Sequence, residues 1–233
     1  MPITTRIGSL SSRGFGQFSS KNLSALRVEY LTSYVSTVNT ITVSFASISI
    51  GSASADRVIG LTVGAVSPSS AITVSATVNG QAANRAAGAT SRIYSNAVFT
   101  QAVPSGTATS ATFSVTSPIT GTPSFNSIRF GIFAIYGLGS QTPVASFDVS
   151  TAQFVSQNLT TQTSGIILAS AMTANNLSLS ITLSGVTRRY NLFNETTRAG
   201  GEASNTVSGT TVIRASSTSA TTINISMAGA SFK

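Results

Sequence analysis

The sequence predicts an all-β fold, an antiparallel β-sandwich of the jelly-roll kind that follows an extended N-terminal arm. The first observation is strict alternation of apolar and polar residues, as in residues 71–78 and 111–115, which is the period of a strand with one buried face. The second is the set of turn signals between such segments, Asn79-Gly80 and Pro104-Ser-Gly106, which favour tight reversals. No segment has a helical period, so we expect roughly ten to thirteen strands in two packed sheets.

The strands follow in chain order from the alternation and its breaks. Residues 41–50 alternate, but the period slips by one between Phe45 and Ile48, so we predict a β-bulge or a short turn at Ala46-Ser47. Further alternating or apolar strand segments are residues 57–63, 71–78, 97–99, 111–115, 144–149, 177–183, 206–215 and 221–232.

Two long apolar runs are predicted to lie in the middle of a sheet. Residues 128–136 are the most apolar segment and are bounded by Pro123 and Gly137, and residues 164–172 form the second run. A continuous apolar run between Pro and Gly signals is typical of a strand with both faces covered.

Residues 1–25 differ from the rest of the chain and are predicted to form the arm. They have no amphipathic period and cannot build a core of their own. The arm either docks on another surface or is a terminus without a role. In the docking interpretation Arg13, Phe15 and Phe18 are the anchors, because aromatic and Arg side chains dominate interface hot spots. Residues 26–233 contain no linker and are predicted to be one β-sandwich domain.

The composition favours a protein that packs against copies of itself or against other proteins. Only 8% of residues are charged, and thirteen Lys and Arg against five Asp and Glu give a net charge of +8. A free monomer normally has about 25–35% charged residues on its surface. Most basic residues are scattered singly rather than clustered with aromatics, which argues against nucleic-acid binding.

Arg188, Arg189 and Arg198 form a local basic group. The group is interpreted as a solvated loop, as a contact between subunits, or as a site for an anionic partner such as an acidic cell-surface glycan.

The residues needed for most enzyme chemistry are absent from the sequence. It has no His and no Cys, so no serine has a conventional activating base and no thiolate can hold a metal. Glu195 and Glu202 lie in what reads as one polar loop, where pairing with the nearby arginines is the simpler role than a catalytic pair. Asp56 and Asp148 lack the acidic neighbours of a calcium loop. We therefore expect no enzymatic activity, no metal and no cofactor.

No targeting or membrane segment is expected. No apolar run approaches the ~20 residues of a membrane span, and the N-terminus lacks the charged-then-apolar order of a signal peptide. The protein is expected to stay soluble in the cell that makes it unless lysis or assembly carries it out.

Several motifs resemble those of bacteriophage proteins. The segment Gly8-Ser-Leu-Ser-Ser-Arg-Gly-Phe-Gly16 resembles the Ser-Arg-Gly-Phe-Gly element near the start of many bacteriophage and prophage virion proteins. The body resembles a β-sandwich module of phage structural proteins in Asp56-Arg-Val-Ile59, Val78-Asn-Gly80, Val103-Pro-Ser-Gly106, Arg129-Phe-Gly-Ile-Phe-Ala-Ile-Tyr-Gly137, Gly165-Ile-Ile-Leu-Ala169 and Thr187-Arg-Arg-Tyr190.

The resemblance implies a virion component without enzymatic activity, made in the host cytoplasm. It would be a subunit of a tail, fibre or baseplate region that docks through its arm. The alternatives are a capsid decoration protein on the head lattice and a glycan-binding module that contacts the host surface. The implied partners are other virion proteins, copies of the chain itself and a host glycan, without nucleic acid or membrane insertion.

Overall fold

The computed structural model describes most of the 233-residue chain. The described residues are 25–37, 39–67, 71–91, 94–117, 124–151, 154–173, 180–192, 198–217 and 225–233. The predicted arm falls almost wholly outside them, and so do Arg13, Phe15 and Phe18.

Every regular element of the described residues is a β-strand. The first nine strands are β1 Arg27–Ser36, β2 Thr42–Ser49, β3 Val58–Val66, β4 Thr73–Val78, β5 Gln81–Ala82, β6 Asn84–Ser91, β7 Tyr94–Ala102, β8 Ala108–Thr116 and β9 Ser127–Tyr136. The remaining eight are β10 Ala145–Thr151, β11 Phe154–Thr161, β12 Gly165–Thr173, β13 Ile181–Ser184, β14 Thr187–Leu192, β15 Arg198–Thr206, β16 Gly209–Ser217 and β17 Ile225–Phe232.

These strands form four antiparallel sheets. We call β1-β9-β3-β7-β6 inner sheet 1, and β2-β8-β4-β5 outer sheet 1. The order β10-β17-β12-β15-β14 is inner sheet 2, and β11-β16-β13 is outer sheet 2. The first pair of sheets is built from the chain before residue 137, and the second pair from the chain after residue 144.

Each pair of sheets is a jelly roll. In the second pair the first strand lies beside the last (β10 with β17), the second beside the last but one (β11 with β16), and the third beside the sixth (β12 with β15). The first pair repeats this nesting with β1 and β9, β2 and β8, and β3 and β7. Nested pairing of this kind joins two Greek keys into one roll. The predicted all-β, antiparallel, jelly-roll fold class is confirmed.

The four sheets stack in layers, with the two inner sheets facing each other. One apolar cluster fills each roll between its inner and outer sheet. A third cluster joins the rolls, with Phe133 and Ile135 from inner sheet 1 and Leu168, Ala230 and Phe232 from inner sheet 2. The inner sheets are therefore buried on both faces.

The double burial of the inner sheets explains the long apolar runs in the sequence. Every residue of β3, β9, β12 and β17 is buried. The predictions of central strands at 128–136 and 164–172 are thus confirmed. Small residues let the sheets approach, because a Cβ on Gly60 would lie 2.6 Å from the Leu168 side chain of the opposite sheet.

The predicted breaks in the alternation are also confirmed. The register of β2 against β8 shifts between Phe45 and Ile48, and Ser47 has a φ of 54° there. Asn79 and Gly80 have φ values of 53° and 72°, as a two-residue hairpin turn with both central residues in the left-handed region requires.

The sheet count departs from the expectation. The sequence predicts one pair of sheets with up to about thirteen strands, whereas the described residues form two pairs with the seventeen strands above. A short strand such as β5, with two residues, carries too little alternation to be recognised, and a second roll uses the same Ser/Thr alternation as the first. The repeat lies in the strand order rather than in the sequence.

The core of the first roll depends on Phe130 of β9. Its ring centroid lies 4.7 Å from that of Phe113 and 4.8 Å from that of Phe45, and it stacks on Tyr34 at 5.4 Å. We expect Phe130→Ala to lower the free energy of unfolding by about 3–5 kcal/mol, through lost burial and the cavity left behind. Urea denaturation measures this, with Phe130→Leu as the milder control. A loss below about 1 kcal/mol would show that the cluster repacks.

Candidate functional site

The three arginines of the predicted basic group lie on neighbouring strands of inner sheet 2, not in a loop. Arg188 and Arg189 belong to β14, and Arg198 begins β15. Each has a different environment. The structure therefore does not bring the three guanidinium groups together on one exposed surface.

Arg188 and Arg189 are tied to neighbouring groups. Arg188 donates from Nη1 to the Ile181 carbonyl at 2.6 Å and to the Ser180 hydroxyl at 3.1 Å. Arg189 donates from Nε to Glu202 Oε1 at 2.5 Å. The Arg189 side chain is 45% exposed and that of Glu202 is 4% exposed. The predicted pairing of Glu202 with a nearby arginine is thus present. Glu202 lies on a strand, however, and the expected polar loop is wrong for this residue.

Glu202 is a titratable group held largely away from water. Burial raises its pKa above the ordinary value, and the hydrogen bond and charge of Arg189 oppose this rise. The folded protein therefore takes up a proton at Glu202 more readily than the unfolded chain does. The contribution of this carboxyl to stability falls as the pH rises from its ordinary pKa through the raised one.

This linkage predicts a pH-dependent effect of Glu202→Gln, which keeps an oxygen that can accept from Arg189. We expect the stability of the variant relative to the natural protein to be greater at pH 7 than at pH 4, because only the natural side chain carries the cost of ionisation. Urea midpoints at both pH values measure the difference. Glu29→Gln, at an exposed ion pair, is the matched control. An identical difference at the two pH values would contradict the role of burial.

Arg198 lies in the interface between the two rolls. It is 2% exposed, and a Cβ on Gly64 of the opposite sheet would lie 2.2 Å from its Nη1. Burial lowers the pKa of Arg198 well below its ordinary value, and the charge of Arg129 lowers it further. Tyr190 and Tyr94 raise that pKa. Arg129 is fully buried as well, so two guanidinium groups share this part of the interface.

Tyr190 inserts between the inner sheets close to Arg198. A Cβ on Gly131 would lie 2.2 Å from the tyrosine ring, and one on Gly200 would lie 2.5 Å from it. The phenol donates to the Thr62 carbonyl at 2.9 Å and shares a 2.9 Å hydrogen bond with the Thr62 hydroxyl. Burial raises the pKa of Tyr190 to about 12. Gly131 and Gly200 therefore leave the space that the Tyr190 ring fills. Thr62 provides the hydrogen-bond partners of the Tyr190 hydroxyl.

A second polar contact joins the inner sheets at Asn96. Its amide nitrogen donates to the Ser226 carbonyl at 2.8 Å and to the Ser170 carbonyl at 3.1 Å. Its amide oxygen accepts from the Ser170 hydroxyl at 2.7 Å. Buried amides are costly unless they are satisfied, so these bonds fix how one roll sits on the other.

Arg57 lies immediately before β3 and holds two loops, residues 51–52 and 103–106. It is fully buried, and all five of its N–H groups donate to backbone carbonyls. The acceptors are Val103 at 2.8 Å, Gly51 at 2.9 Å, Ser52 at 2.7 Å, Ser105 at 2.8 Å and Gly106 at 2.8 Å. Peptide dipoles rather than a carboxylate thus solvate this charge.

A small cavity of about 160 Å³ opens beside this arginine. Its lining includes Asp56, Arg57 and the loop 138–141. Asp56 accepts from the Ser54 hydroxyl and, through Oδ2, from the Gly137 amide at 3.1 Å. Asp56 and Arg57 are thus engaged in holding loops.

Sequence reasoning missed Arg57 and Tyr190 as residues that organise the fold. The available signals were an isolated arginine at the start of an apolar strand and a tyrosine next to an arginine pair. Neither signal identifies a partner, because the acceptors lie far away in sequence.

We expect Arg57→Lys to destabilise the protein although it keeps the charge. An ammonium has three donors, so at least two of the five carbonyls would lose their partner, at about 1–3 kcal/mol. Thermal and urea unfolding measure the loss. Arg85→Lys, at an exposed position, is the control. Equal stability of the Arg57→Lys and natural proteins would contradict the role of Arg57 in holding the two loops.

Two further properties concern the described residues only. They hold no group of three or more His, Cys, Asp or Glu side chains arranged to bind a metal ion. Within the same ranges, there is no helix with the length and apolarity needed to cross a membrane.

Comparison with known proteins gives little information. No protein-family model matches the chain, and a search of curated proteins found no match. Among solved structures, the chain is similar to the conserved protein of unknown function PA5104 from Pseudomonas aeruginosa PAO1. The identity is 13%, and the alignment covers 90% of this chain and 89% of that one, with a TM-score of 0.28.

Proposed function

We propose that the protein is a non-enzymatic structural subunit of a bacteriophage virion. It belongs to a tail, fibre or baseplate region and docks there through its N-terminal arm, residues 1–25, with Arg13, Phe15 and Phe18 as anchors. Its partners are other virion proteins and copies of itself, and its place is the assembled particle.

The observation that carries this proposal is the surface of outer sheet 1, which has no charge. Strands β2, β4, β5 and β8 contain no ionisable residue. Hydroxyl groups cover the outer face and pair across strands, as Ser44 does with Thr112 at 2.9 Å and Thr42 with Ser114 at 3.2 Å. A chain that must stay soluble alone normally exposes mixed charges, whereas charged residues are depleted in the cores of protein interfaces.

The architecture of the described residues supports the same proposal. Two jelly rolls share a buried apolar layer fixed by the bonds of Tyr190 and Asn96, which makes a rigid block. Jelly rolls serve in viral capsids and also in lectins and cupins. The phage-like motifs of the sequence favour the virion among these.

Two alternatives remain as competing proposals. A capsid decoration protein needs the same charge-free faces and differs in copy number. A glycan-binding module would use exposed arginines. Of the predicted group, only Arg188 and Arg189 lie at the edge of a sheet, and Arg189 is already bound to Glu202, so the virion-subunit proposal is preferred.

Location and copy number on intact particles test the proposal. Antibody-gold labelling with quantitative mass spectrometry should place the protein on the tail in few copies per particle, as a closed cyclic assembly requires. Dense label over the head would support the decoration alternative. Absence from particles would overturn both and leave the glycan-binding module.

The docking role of the arm has its own prediction. We expect deletion of residues 1–20 to abolish incorporation into particles while the body still folds, because the described strands of both rolls begin at Arg27. Incorporation is measured by complementing a deletion phage. The triple variant Arg13→Ala, Phe15→Ala and Phe18→Ala should reproduce the loss, and unchanged incorporation of both forms would exclude docking through the arm.

A further inference from the structure

The two outer sheets present different polar surfaces to solvent. On outer sheet 1 hydroxyl groups bond to one another across strands, as Ser44 does with Thr112 and Thr42 with Ser114. On outer sheet 2 exposed and buried residues alternate along β11, β16 and β13, so the exposed ones share one face. We call this surface the Arg214 face, and the residues on it that surround Arg214 are Phe154, Ser156, Asn158, Thr182 and Ser184.

Arg214 lies at the centre of this face. It belongs to the middle strand β16, and Ser156 of β11 and Ser184 of β13 pair with it from the two sides. Phe154 and Asn158 lie two residues before and after Ser156 on β11. Such diagonal positions are about 7–8 Å apart, within reach of long and aromatic side chains. A ligand on Arg214 therefore also meets Phe154 or Asn158.

The polar side chains of the Arg214 face are not engaged within the described part of the chain. Arg214, Ser156, Asn158 and Ser184 make no side-chain hydrogen bond and no ion pair with its residues. In contrast, Arg57 donates to backbone carbonyls. Arg214 is also the one charged residue of the described strands β11, β13 and β16. No carboxylate on these strands neutralises it, so the face is positive and its donors are available to a ligand.

The charge and the donors of the face define the chemistry of that ligand. A guanidinium binds a carboxylate through two parallel N–H bonds. One cation suits a ligand with one acidic group among neutral ones, whereas nucleic acids require several basic residues. The hydroxyls of Ser156 and Ser184 and the amide of Asn158 can both donate and accept, as the hydroxyl groups of a sugar do. The face thus matches an acidic sugar.

Phe154 supports a sugar rather than a peptide as the ligand. Its side chain is 54% exposed, and an aromatic ring in this position can cover the apolar C–H face of a sugar ring. From Phe154 to Asn158 the face is about 13 Å long, which accommodates a short oligosaccharide. A peptide binds best where its backbone pairs with a strand edge, whereas this face presents side chains.

We propose that the Arg214 face binds a short acidic oligosaccharide. Arg214 binds the carboxylate of a uronic or sialic acid unit, and Phe154 packs against a neighbouring sugar ring. Ser156 and Asn158 bond to the sugar hydroxyls. This site is separate from the basic group predicted at residues 188, 189 and 198, whose members lie on inner sheet 2. It does not rest on the proposed virion role, because a particle subunit and a free protein can both carry it.

The test uses the purified full chain and an array of short oligosaccharides. Each oligosaccharide is present as a matched pair, one member with its uronic or sialic acid intact and the other with that carboxylate reduced to the alcohol. We expect at least one pair in which the acidic member binds about tenfold or more tightly than the reduced one. Failure to bind any acidic member at millimolar concentration would overturn the proposal.

Substitutions assign the binding to this face. Arg214→Gln should weaken binding of the acidic member about tenfold and make the two members bind alike, because the partner of the carboxylate is lost. Phe154→Ala should weaken both members equally, by about fivefold. Arg85→Gln removes an exposed arginine from β6 of inner sheet 1 and should change neither affinity by more than about twofold. Equal losses in Arg214→Gln and Arg85→Gln would reduce the effect to net charge and overturn the proposal.

A competition experiment separates the sugar from a peptide. An acidic peptide of alternating Glu and Ser should not displace the bound oligosaccharide at equal concentration. A peptide that binds more tightly than every oligosaccharide, and loses this binding in Arg214→Gln, would make the face a peptide site and overturn the proposal. These measurements need no particle, so their failure leaves the virion proposal separately testable.

Discussion

Burial of both faces of the inner sheets is the constraint on which the rest of the structure depends. Strands β3, β9, β12 and β17 are buried along their whole length and are mostly apolar, so neither roll can expose its inner sheet to water without a large hydrophobic cost. The two rolls must therefore pack together. Gly60, Gly64, Gly131 and Gly200 let them approach closely, because Leu168, Arg198 and Tyr190 fill the space that side chains there would need.

The same interface changes the meaning of the positive charge. Arg57, Arg129 and Arg198 are fully buried, so part of the excess of basic residues is internal and does not act as a surface field. Arg57 is solvated by loop carbonyls, and Arg198 shares its site with Arg129 and Tyr190. The composition that suggested an anionic partner thus serves, in part, to hold loops and to orient the rolls.

The outer surfaces serve a different purpose from the interior. Outer sheet 1 exposes hydroxyl groups and no charge. Most sheet edges among the described strands are blocked by bulges, short strands or Asp148. A rigid block with a few permissive surfaces is the arrangement expected of a subunit that assembles in a defined geometry rather than of one that aggregates at every edge.

Local signals of alternation, apolar runs and turn residues predict the fold class, the central strands 128–136 and 164–172, the turn at Asn79-Gly80 and the bulge near Ser47. The presence of two rolls, the burial of Arg198 apart from Arg188 and Arg189, and the organising roles of Arg57 and Tyr190 emerge from the folded chain alone. These facts rest on partners such as Val103, Thr62 and Gly64, which are distant in the chain, and a periodic pattern carries no information about distant contacts.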